Sequence, residues 1–133
     1  MNLNKRASTV VLGLVLAIGA PACSGESEVC ADVDALRADL DELTAIEIQP
    51  GAIADFSAAF DAVETDVDRL LESAASEFEN EIDAVQSATQ ALAASVESAA
   101  QAPSGPAVTQ LSADFGAFTS ATESLIGAVE GTC

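Results

Sequence analysis

Three sulfur atoms and many carboxylates carry whatever chemistry this chain has. The cysteines are Cys23, Cys30 and Cys133, and 22 Asp/Glu residues stand against four Lys/Arg with no histidine. A thiol can act as a nucleophile, a disulfide partner or an acyl acceptor. Paired carboxylates can serve as acid and base on a glycosidic bond, and carboxylates at alternate loop positions can hold calcium. The candidate groups are Asp32/Asp34, Asp39/Asp41/Glu42 and Asp66/Asp68. They lie off the apolar spacing, so a solvated acidic helix face is expected for all of them. The stretches "DVDALRADLDEL" and "DAVETDVDRL" have the acids but not the central glycine of a calcium loop, and both read as helix. Without histidine the common general base, imidazole ligation of zinc and a Ser-His-Asp triad are all absent. The expectation is a non-enzyme with no catalytic residue, no cofactor and no metal site.

The first 22 residues have a different character from the rest. Lys5 and Arg6 precede an uncharged run from Ala7 to Ala20, and "APA" stands before Cys23. A positive start, a short apolar run and a small-residue site form the pattern of a secretory signal peptide. The run is too short for the ~20 residues that a spanning helix needs. Cleavage after residue 22 leaves all 22 acids facing only Arg37 and Arg69, a net charge of about −20. Such a surface repels nucleic acid and anionic headgroups, so nucleic-acid binding is excluded.

The segment Ala20-Pro21-Ala22-Cys23 resembles the lipobox of bacterial lipoproteins, although Ala20 stands where those families usually carry leucine. The resemblance covers the first 25 residues. It implies that Cys23 is the first mature residue, bears a diacylglycerol on its sulfur and anchors the protein to the outer face of the cell membrane. Ser24 to Ser27 would then be a short polar tether. An ordinary signal peptidase would cut the same bond and leave a secreted protein instead. If Cys23 is acylated, Cys30 and Cys133 remain as one pair in an oxidising compartment, and a disulfide between them is expected. The body is also similar in layout to small exported helical proteins of high-GC Gram-positive bacteria. Those open with a cysteine near an Asp-Ala-Leu helix, here Cys30 and "DALRADLDEL", and finish on a cysteine, here Cys133. That likeness implies no known activity.

The elements that must position these groups are helices. Val29, Val33, Leu36, Leu40 and Leu43 alternate steps of four and three, a heptad seam that predicts a first helix over 28–48, closed by Pro50-Gly51. Ile53, Phe56, Phe60, Val63, Val67 and Leu70 continue the pattern, and steps of four run on through Ala74 and Phe78 to Ile82. With no Gly or Pro from Ala52 to Gln101, one long helix over 52–101 is expected, with a stutter at its middle. "SEFE" (Ser76 to Glu79) is the competing signal, a capping box that would start a new helix. "APSGP" marks a turn, and Val108 to Val129 predicts a third helix over 107–130.

The domain organisation is therefore a signal peptide (1–22), a tether (23–27) and one all-α domain (28–133). Three helices side by side, up-down-up, would hold Cys30 and Cys133 about a helix length apart, ~30 Å, and a disulfide needs its α-carbons within about 7 Å. Two arrangements allow the bond. In the preferred one the 52–101 helix is a spine, flanked on its two halves by 28–48 and 107–130. In the alternative that helix breaks near Ser73 to Ser76 and a four-helix up-down bundle results.

The functional expectation is a lipid-anchored extracytoplasmic helical protein, a structural or interaction module that turns an acidic face to a basic protein partner. The alternative is a binding module for an apolar ligand or envelope lipid, lined by Phe56, Phe60, Phe78, Phe115 and Phe118. Acidity as plain adaptation to salt is the third possibility.

Overall fold

Each apolar seam does fold as helix, and each finds two neighbours. The computed structural model describes residues 24–74 and 76–133. Four helices follow one another: α1 (Ser24–Thr44), α2 (Ile53–Ser73), α3 (Glu79–Gln101) and α4 (Gly105–Glu130). Single turns of 3-10 helix, Pro50–Ala52 and Ser76–Phe78, lie before α2 and α3. Two antiparallel hairpins, α1–α2 and α3–α4, pack tightly within themselves, and α1 against α4 and α2 against α3 close the ring. The result is an all-α, up-down-up-down bundle.

The long 52–101 helix does not form. Ser73 ends α2, and Ala74 turns into extended backbone (φ −70°, ψ 137°). Each step of four advances about 40° beyond a full 3.6-residue turn. Three such steps from Leu70 to Ile82 carry the apolar stripe about a third of the way round the helix, so one straight rod could not keep both halves on one core. The break restores a common seam, and it gives each helix two flanking partners where a spine would give its outer helices only one. Ser76-Glu77-Phe78-Glu79 does begin the second segment, but Phe78 stands at the α3 N-cap without a side-chain cap.

Helix boundaries shift at three other places for local reasons. The first helix starts at Ser24, so the stretch expected to be a tether is already its first turn. It ends at Thr44 rather than at 48, tightened by bonds from the Ala45 and Ile46 amides to Asp41, Glu42 and Leu43 carbonyls. Ile46 and Ile48 alternate about Glu47, and both are half-buried against the core. In extended chain a period of two puts both on one side, whereas a helix would turn them well apart. The fourth helix begins at Gly105 because Ser104 caps it, its Oγ accepting from the Ala107 amide at 3.4 Å, with Pro106 in the first turn.

The core runs the length of the bundle: Val33, Leu36, Leu40 and Leu43 from α1, Ile53 to Leu70 from α2, Val85 to Ala99 from α3 and Leu111 to Val129 from α4. Phe56 meets the half-buried Phe115 edge-on, ring centroids 5.2 Å apart, and Phe60 meets Phe118 at 5.9 Å. These pairs join α2 to α4, the diagonal of the bundle. A short repetition accompanies them. Ala113-Asp114-Phe115 of α4 repeats Ala54-Asp55-Phe56 of α2, and Ile82-Asp83-Ala84-Val85 of α3 echoes Val33-Asp34-Ala35-Leu36 of α1.

Candidate functional site

The chemistry-bearing residues gather at one end of the bundle and along one face. At the end where α1 starts and α4 finishes, Cys30 and Cys133 are joined as a disulfide with α-carbons 6.1 Å apart. Helix polarity brings them together, because an even number of antiparallel helices returns the chain to the end where it began. Beside them Arg37 of α1 and Glu130 of α4 form an ion pair at 2.6 Å, both about half exposed. At that exposure the pair contributes little to stability. Cys23 lies outside the described residues.

The α1–α2 hairpin carries the densest acids. Asp34, Asp41, Glu42 and Asp68 are exposed, as their spacing predicts. Asp32 and Asp39 are half-buried between the helices, and Asp66 is 6% exposed, a buried carboxylate. Asp66 was expected on the solvated face, and the structure corrects this. It lies three residues after Val63 and four before Leu70, at the edge of the seam. That edge is open in a two-stranded coiled coil but covered by a neighbour in a four-helix bundle.

Polar partners partly satisfy this cluster. Arg69 Nη1 donates to Asp66 Oδ1 at 2.7 Å, and Ser73 Oγ donates to Asp32 Oδ2 at 2.7 Å across the helix pair. Burial pushes the Asp66 carboxyl above its ordinary value, and a hydrogen bond and like charge from Asp39 push it further. The Arg69 guanidinium pulls it down, and Asp32 adds to the rise. Two facing carboxylates with one cation between them make the second negative charge costly, and that cost falls on the buried Asp66.

The second hairpin handles the carboxylate between its own two helices differently. Asp114 of α4 accepts from the Ser95 hydroxyl of α3, and Gln110 Nε2 donates to it at 3.0 Å. These bonds, Ser95 first, hold its carboxyl below the ordinary range. Among the described residues no cluster of ligating side chains fit for a metal ion is present, and no helix there is long and apolar enough to cross a membrane.

A comparison with protein-family models, with curated proteins and with solved structures finds no match to the chain.

Proposed function

We infer that the protein is a non-enzymatic interaction module, held at the outer face of the cell membrane by a lipid on Cys23, whose acidic face engages a basic protein partner. The observation that carries this is an excess of carboxylates over cations on one hairpin. From Ser24 to Ser73 the chain has acids on nearly every exposed turn and two cations, Arg37 and Arg69. Both arginines are already in ion pairs. The surface therefore attracts positive charge and has none of its own to offer. A lipid at Cys23 would sit beside the disulfide end, since α1 begins at Ser24. The turns at 45–52 and 102–104 would then project about 30 Å from the membrane.

The alternative is an apolar carrier lined by the phenylalanines. Phe56 packs edge-on against Phe115 and Phe60 against Phe118, and three of these rings are buried. On that reading the pairs part to wall a cavity, and lipid should co-purify with the protein in native mass spectra.

Two measurements on the full chain in its native membrane test the proposal. Intact mass of the extracted protein should show Cys23 at the N-terminus with added acyl mass; an unmodified thiol there removes the anchor. Zero-length coupling of carboxylates to amines on intact cells should recover neighbours rich in lysine, and the yield should fall as salt rises. Recovery of nothing above a quenched control defeats the interaction reading. A melting temperature that climbs steeply into molar salt, with nothing recovered, assigns the acidity to salt adaptation.

A further inference from the structure

We propose that the outward face of α2, with the groove between α1 and α2, is the docking site for an amphipathic helix of the partner whose apolar stripe is flanked by Lys or Arg. This rests on the acidic-interaction reading above and gives it an address.

The face is built from small residues with acids at the rim. Ala54, Ala58 and Ala62 recur at steps of four along α2, and all three are exposed. A hollow lies on each side of this ridge. The one toward α1, about 390 Å³, has Ala58, Ala59 and Ala62 as its floor and Ile46 at its foot, with Asp39, Glu42 and Asp55 at its rim. The one toward α3, about 480 Å³, is walled by Ile53, Ala54, Ala99, Ala100 and Pro103, with Asp61 the single carboxylate. Alanine side chains let a second helix backbone approach closely. Neither hollow has a lysine or arginine in its lining.

Charge selects the occupant. A second copy of this chain would bring the same carboxylates against these, and an anionic membrane would do likewise. A neutral helix would cover Asp39, Glu42 and Asp55 and leave them with no counter-charge in a drier setting, which is costly. A helix with basic residues beside its apolar stripe fills the alanine floor and answers the rim together. The corresponding carboxylate of the other hairpin, Asp114, already has its donors in Ser95 and Gln110. Among the described residues no side-chain donor is bonded to Glu42 or Asp55.

The test uses the full chain extracted in neutral detergent and a labelled synthetic helix of roughly 18 residues, built from Leu, Ala and Lys. Its scrambled, non-amphipathic counterpart is the control. Binding is read by fluorescence anisotropy at about 0.15 M salt. The amphipathic peptide should bind about tenfold or more tightly than the scrambled one. Glu42→Gln with Asp55→Asn should weaken it about tenfold, and Ala58→Lys more. Glu97→Gln with Glu123→Gln, the same charge change on the other hairpin, should leave it unaltered. Circular dichroism of each variant confirms the fold. Equal loss in both charge pairs, equal binding of the scrambled peptide, no binding at all, or a dimeric free protein each overturns the groove. Cell crosslinks to basic neighbours that persist in the groove variants would keep the acidic-face reading while removing this address.

Discussion

Asp66 is the residue that sets this bundle apart from a generic acidic helix pair. It is buried against Asp39 and Asp32 from α1, with Arg69 one turn along its own helix. Because the carboxyl titrates higher folded than unfolded, its bound proton stabilises the fold fully below the unfolded value, and that stabilisation is lost as pH rises through the folded one. The protein should therefore melt at a higher temperature near pH 4.5 than near pH 7.5. General relief of like-charge repulsion runs the same way, so Asp34→Asn, an exposed change of equal charge, is the control. Asp66→Asn should raise the melt at about pH 7.5 more than Asp34→Asn does and should flatten the profile. Parallel profiles for Asp66→Asn and wild type would refute the raised Asp66 carboxyl. Asp114 has the opposite sign: its contribution is present above the unfolded value and fades as pH falls.

At the scale of elements, helix positions were legible and helix ends less so. The heptad seams of α1, α2, α3 and α4 correspond to the buried residues almost one for one, because a 3.6-residue period needs only the chain itself. The break at Ser73 to Phe78 was legible as a disturbance, three steps of four, but its outcome was not. A stutter and a chain reversal share that pattern, and only packing against α1 and α4 separates them. Ile46 and Ile48 followed a period of two at the end of a longer helical signal, and packing against the core drew them out of the helix. Fine interruptions matter within an element too. Gly116 and Gly127 lie on the exposed side of α4, where an added Cβ meets no atom within 4 Å. Gly116→Ala and Gly127→Ala should each stabilise the protein by about 1 kcal/mol in urea unfolding. A loss of stability at either site would show that the face is covered.

At the scale of the whole molecule, the Cys30–Cys133 bond closes a span of 103 residues and ties α1 to the end of α4. In the chain-entropy account such a closure is worth about 4–5 kcal/mol, a large share of what a small domain possesses. Reduction, or Cys133→Ser, should lower the melting temperature by about 15 °C or more. An unchanged melt would show that the four seams suffice without the link. By itself the sequence determined the helical class, the apolar positions along three expected helices, the acidity and its concentration in the first half. All of these follow from composition and local periodicity, which act between residues a turn apart. Tertiary structure alone decided that the middle segment reverses, that the phenylalanines pair across a diagonal, and that one aspartate of the acidic face is buried. Each of those depends on which helix lies beside which, and that is settled by burying four seams on one core.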